Sequence, residues 1–129
     1  MKTNILLIED NEQNRYLTTF LLSNRGYTVV EAENGPRGIE LAEKEHFDLI
    51  LLDIQLPEMD GYAVAAALRE KPATKEIPIV AVTSYAMVGD REKALASGCD
   101  GYIEKPINPE TFVSEIERYI TSTETRGNA

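Results

Sequence analysis

Five short, mostly apolar runs, each followed by a longer amphipathic stretch, restrict the fold of this chain more than any other feature. The runs are Asn4 to Glu9 (NILLIE), Tyr27 to Glu31 (YTVVE), Leu49 to Leu52 ending in Asp53, Ile77 to Val82 (IPIVAV) and Asp100 to Ile103. Segments this short, leucine-rich or β-branched and without alternation, read as strands covered on both faces. Pro78 lies near the start of the fourth run, where one lost N–H is tolerable. The stretches between them read as helices. Asn11 to Arg25 carries Leu17, Phe20, Leu21 and Asn24 at helical spacing, and Gly26 stops it. Gly35-Pro36 opens a second helix with Ile39 and Ala42 inward, its proline in the first turn where a missing N–H is no loss. An alanine-rich helix runs through Arg69, and Ala86 to Ser97 forms one with a thin apolar stripe, closed by Gly98. Asn108-Pro109 caps the last, with Phe112, Val113, Ile116, Tyr119 and Ile120 on one face.

Parallel strands need crossovers, and crossovers are right-handed. The predicted architecture is therefore an α/β flavodoxin-like, doubly wound (βα)5 sandwich: a five-stranded parallel sheet with helices on both faces. A length of 129 residues suits one domain. The domain is expected over residues 1–120, with residues 121–129 a polar tail that frays. No apolar run approaches the roughly 20 residues of a membrane span, and the N-terminus lacks the apolar stretch of a signal peptide. The single cysteine, Cys99, excludes an internal disulfide and suits a reducing compartment, so a cytoplasmic protein is expected. A net charge of −9 disfavours direct contact with nucleic acid or anionic membranes.

In an open parallel sheet, ligands bind beyond the carboxyl ends of the strands. Here those ends carry Glu9 and Asp10, then Asp53, then Thr83 and Ser84, then Lys105-Pro106. Taken singly each residue is unremarked: Asp10 or Asp60 would be a helix N-cap, Lys105 a surface lysine and Thr83 a strand-end hydroxyl. Together they make a chemical set. Crowded carboxylates repel unless a cation joins them, and Mg²⁺ accepts one or two carboxylates while keeping sites for water and phosphate oxygens. A strand-end carboxylate is also a nucleophile able to form an acyl phosphate, with Lys105 and a cation neutralising the transferred group and Thr83 donating to it. His46 and Cys99 lie apart from this edge and read as structural.

The stretches Ile8-Glu9-Asp10-Asn11, Leu51 through Asp53 to Gly61, Ala81-Val82-Thr83-Ser84 and Gly101-Tyr102-Ile103-Glu104-Lys105-Pro106 resemble those of a response-regulator receiver domain, the phosphoacceptor half of bacterial two-component signalling. The resemblance covers nearly the whole chain. It implies that Asp53 accepts the phosphoryl group and that Asp10, Asp53 and the Gln55 backbone carbonyl ligate Mg²⁺, with Mn²⁺ as a substitute. Glu9, in place of the commoner aspartate, would act through water. Lys105 would pair with phosphoryl oxygens, the Lys105–Pro106 bond would be cis, and Thr83 with Tyr102 would form the switch pair. The implied partners are a sensor histidine kinase or histidine phosphotransfer protein and a downstream target protein, for a monomer or weak dimer. Such a domain is not an enzyme beyond catalysing its own phosphorylation and dephosphorylation. Gln55 and Tyr85 would flank the attacking water, with Tyr85 shielding the acyl phosphate. Around Asp53, Thr83 and Ala86-Met87 the chain is similar to single-domain regulators of bacterial cell division and development.

Three other readings compete. A flavin-binding protein would need a hydroxyl- and glycine-rich phosphate loop where this chain has Glu9-Asp10-Asn11-Glu12. An aspartyl-phosphate hydrolase would carry an acid where Gln55 stands. A receiver excised from a hybrid histidine kinase would share every motif; the Met1 start and short tail favour a stand-alone regulator.

Overall fold

The structure, a computed structural model, describes residues 3–84, 88–105 and 107–127, with side chains as far as residue 120. The strands are β1 (Asn4–Ile8), β2 (Thr28–Ala32), β3 (Leu49–Asp53), β4 (Ile79–Thr83) and β5 (Gly101–Glu104). They pair in parallel in the order β2-β1-β3-β4-β5. The helices α1 (Glu12–Asn24), α2 (Gly35–Lys44), α3 (Gly61–Glu70), α4 (Asp90–Ser97) and α5 (Phe112–Gly127) connect and follow them. The predicted doubly wound sheet is the observed one.

The period-2 alternation of side chains along a strand splits the core in two. Leu6, Ile8, Ile50, Leu52, Ile79 and Ala81 pack beneath α2, α3 and α4. Ile5, Leu7, Leu49, Leu51 and Val80 pack beneath α1 and α5. β3 and β4 are buried at every position and read as unbroken apolar runs, whereas the edge strands β2 and β5 are partly exposed. The chain passes from β1 to β2 on one side and then to β3 on the other. Strand order therefore reverses between β1 and β3, where a doubly wound sheet opens its ligand crevice.

Several boundaries and faces differ from expectation. β4 begins at Ile79, because Pro78 has no N–H and the Ile77 N–H is spent on the Thr74 carbonyl. α5 begins at Phe112; Asn108 heads a preceding turn in which its carbonyl accepts the Thr111 and Phe112 N–H groups. The helix then runs past Ile120 to Gly127, since nothing from Thr121 to Arg126 breaks a helix. In α1 the buried positions are Thr18 and Leu22, while Leu17 and Phe20 face outward at 40% and 52% exposure, with Tyr16 stacked on Phe20. α2 buries Leu41 and Ala42, with Ile39 only partly covered. Ala86, expected to start α4, lies outside the described residues, and the helix is described from Asp90. Among the described residues no helix is long and apolar enough to cross a membrane.

Candidate functional site

β1 and β3 are neighbours with Ile8 opposite Leu52, so the residues that follow them emerge side by side. That register brings one ligand oxygen each from Glu9, Asp10 and Asp53 within 4.8 Å of one another. β4 and β5 bring up the remaining residues, with Asp53 paired to Val82 and Thr83 to Glu104. Lys105, just after β5, places Nζ 2.5 Å from Glu9 Oε1 and 3.6 Å from Asp53 Oδ2. Glu9 and Asp53 are each 4% exposed and Thr83 1%, whereas Asp10 is exposed.

The helix-cap alternative for these acids resolves residue by residue. Asp60 is the N-cap of α3, its side chain accepting the Ala63 N–H at 3.0 Å. At α1 that role falls to Asn11, which accepts the Asn14 N–H at 2.9 Å. Asp10 is thus left outside the cap and faces the cluster. The turn after β3 stays close to the acceptor strand through Gly61, whose N–H donates to the Ile54 carbonyl. A Cβ at Gly61 would sit 2.7 Å from the Asp53 carbonyl oxygen, so only glycine lets α3 start this near the site.

Two buried carboxylates here share one ammonium. Burial, then the hydrogen bond and charge of Glu9, push Asp53 up to about 8 against the pull of Lys105 and of the Gln55 N–H at 3.1 Å from Oδ1. For Glu9, burial acts upward too, but Asp53, Lys105 and the Asn11 N–H outweigh it and hold the carboxyl below its ordinary value. Without a cation, burial and crowding favour a protonated Asp53 beside an ionised Glu9. A cavity of about 350 Å³ lies beside Asp53, with Leu7, Leu17, Leu51, Ile107 and Phe112 among its apolar walls. The donor set suits a hard divalent ion: all oxygen, carboxylate-rich, one position exposed and short of positive charge.

Two residues have parts that their sequence positions did not announce. Arg15, in the second turn of α1, donates from Nη1 to the Glu9 and Asp10 carbonyls at 2.9 and 3.0 Å and so fixes the acidic loop. Its signal was its place as the one cation within a turn of that loop. Gln55, expected to matter through its backbone carbonyl, also uses its side chain: Nε2 donates to Thr83 Oγ1, and Oε1 accepts the Ser84 N–H at 3.1 Å. Tyr102 packs against the core beneath α2 to α4, with its hydroxyl buried and without a hydrogen-bond partner among the described residues. His46 is exposed beside Asp48, and Cys99 is buried, its thiol pushed up to about 11 by desolvation. The expected cis bond at Pro106 and the shielding residue Tyr85 lie outside the described residues.

Comparison with known proteins agrees with this geometry. The family model of the response regulator receiver domain matches residues 5–117. The polar-differentiation response regulator DivK of Brucella ovis is 39% identical over 120 residues, covering 93% of this chain and 98% of that protein. A CheY-like receiver domain protein from Methanospirillum hungatei JF-1 superposes with a TM-score of 0.91 at 28% identity, covering 98% of this chain and 99% of that one. The receiver domain of a sensor histidine kinase from Pseudomonas aeruginosa PAO1, solved with a magnesium ion in its active-site cleft, gives 0.86 at 33% identity, covering 94% and 99%. The chain belongs to the response regulator receiver domain family of two-component signalling.

Proposed function

We propose that Asp53 is the phosphoryl acceptor, in a site where Asp10, Asp53 and the Gln55 backbone carbonyl hold a Mg²⁺ ion and Glu9 reaches it through water. The observation that carries the reading is the convergence of three carboxylate oxygens within 4.8 Å beside Lys105, at the point where strand order reverses. An Asp53 carboxylate oxygen attacks the phosphorus of a phosphohistidine on a sensor kinase or phosphotransfer protein. The P–O bond forms as the P–N bond breaks, and the departing imidazole nitrogen keeps the electron pair and takes up a proton. Bound Mg²⁺ supplies positive charge for the phosphoryl oxygens and favours ionised Asp53. Lys105 Nζ, already between Glu9 and Asp53, supplies the other positive charge. The Gln55 N–H fixes the rotation of the Asp53 carboxylate by holding Oδ1.

Phosphorylation adds about −1.5 to −2 charges and three acceptor oxygens. Thr83 moves its hydroxyl toward them, and Tyr102, half-buried against the core with its hydroxyl covered, repacks into the space released. The changed surface then engages a downstream protein. On this reading residues 1–120 are the receiver unit with 121–129 appended, the protein is cytoplasmic and a monomer or weak dimer, and it turns over only its own phosphoryl group. A hydrolase reading is disfavoured because the Gln55 side chain is tied to Thr83 and Ser84 and has no acidic proton to give.

The test is intact mass after incubation with Mg²⁺ and a small phosphodonor. A gain of one phosphoryl group, lost in Asp53→Asn and in excess chelator, is expected. An equal gain in Asp53→Asn would sink the assignment, as would no gain from either the phosphodonor or a phosphohistidine partner.

A further inference from the structure

The Gln55 side chain makes two hydrogen bonds that fix its orientation. Its carbonyl oxygen accepts the Ser84 N–H at 3.1 Å, which leaves the amide nitrogen, a pure donor, turned to Thr83 Oγ1. A flipped amide would set nitrogen against the Ser84 N–H, so the assignment follows from the partners. The same residue's N–H holds Asp53 Oδ1 at 3.1 Å. One residue thus touches the proposed acceptor with its backbone and the proposed switch hydroxyl with its side chain.

We infer that the Gln55 amide is a latch on Thr83: a positioning residue that holds the hydroxyl and the chain after β4 in the resting arrangement and sets how much the phosphoryl group must supply to turn the switch. This rests on the reading of Asp53 and Thr83 given above. On this inference Thr83 leaves its place under Nε2 as it moves toward a group on Asp53, while Oε1 stays on Ser84. Its recruitment therefore costs the clasp a hydrogen bond. A ligand shifts a two-state element only by its differential affinity for the two states, so a bond present in the resting state alone subtracts from the apparent affinity for the phosphoryl group. Gln55 is exposed, so Gln55→Met, of similar length and without hydrogen bonds, leaves the core untouched.

The experiment is a double-mutant cycle on the affinity for beryllium trifluoride, a tetrahedral phosphoryl mimic, in saturating Mg²⁺, followed by amide NMR shifts. Gln55→Met should tighten binding about fivefold, the worth of one net hydrogen bond. Thr83→Val should weaken binding, and Gln55→Met added to Thr83→Val should then change nothing. A gain that survives in the double variant overturns the latch, because its origin is then not Thr83; so does weaker or unchanged binding in Gln55→Met. Undiminished binding in Thr83→Val removes the switch role of the hydroxyl and the latch with it. Binding that persists in Asp53→Asn defeats the acceptor reading itself, a result separate from the other three.

Discussion

Two ion-pair clusters stand at opposite edges of the sheet. At the N-terminal edge, Arg69 pairs with Asp100 at 2.8 Å and donates to the carbonyls of Gly98, Lys75 and Ile77 at 2.8, 2.9 and 2.6 Å. Asp100 Oδ2 also accepts the Ile79 N–H at 2.9 Å. Even the neighbouring glycine fits: Gly98 lies at φ +116, and a Cβ there would sit 2.6 Å from Arg69 Cγ. At the C-terminal edge, Lys105 serves two buried carboxylates, a third lies close by, and Asp53 is forced toward its neutral form. Both edges set a basic side chain against carboxylates. Arg69 is matched to its partners group for group, which is how a polar cluster ties α3, α4, β4 and β5 together. The acidic cluster is short of positive charge, which is how a site is left ready for a cation and a phosphoryl group.

The largest effect should come from cutting the N-terminal tie. Arg69→Ala removes the donor to four carbonyls, that of Thr74 included, and the partner of Asp100, and should lower stability by about 2–4 kcal/mol in urea unfolding. The folded fraction should still gain one phosphoryl group in the mass assay. A loss under 0.5 kcal/mol, on the order of a neutral surface change, would show that Arg69 is decoration.

A second effect separates the two clusters by pH. In chelator, Asp53 binds its proton more tightly folded than unfolded, since its pKa is raised to about 8 from 3.8. Its contribution is fully present below about pH 4 and is lost as pH rises through about 8. Glu9, lowered, acts in the opposite sense but only as pH falls below its ordinary 4.5. Between pH 5 and 8 metal-free stability should therefore decline by up to about 4 kcal/mol. Asp53→Asn should flatten the decline, and Mg²⁺ should stabilise the wild-type chain more at pH 8 than at pH 5. Urea midpoints at three pH values decide it, and a wild-type stability that rises over that window would contradict a protonated Asp53 in the metal-free site.

What the sequence disclosed follows from the same physics. β3 and β4 were legible because strands covered on both faces must be apolar throughout, and the acids were legible because a parallel sheet gathers its strand ends. The phase of α1 was not. Tyr16, Leu17, Phe20, Leu21 and Leu22 surround most of the helix, and only the sheet decides that Thr18 and Leu22 turn inward. Helix and strand starts shifted where Pro78 supplied no N–H and where the Asn108 carbonyl took those of Thr111 and Phe112. The side-chain bonds of Gln55 and Arg69 were silent for another reason. Thr83 and Ser84 for the amide, and Gly98 and Asp100 for the guanidinium, lie 28 to 31 residues away, and a side chain reaching across the fold leaves no local pattern.

The most direct measurement is to trap the phosphoryl group where it sits. Sodium borohydride reduces an acyl phosphate to the alcohol, displacing phosphate, so phosphorylated Asp53 becomes homoserine and is read by peptide mass. Homoserine at position 53, dependent on Mg²⁺, is the expected result. Reduction at Asp10 or Glu9 instead, or a phosphoryl group that borohydride leaves in place, would contradict Asp53 as the acceptor.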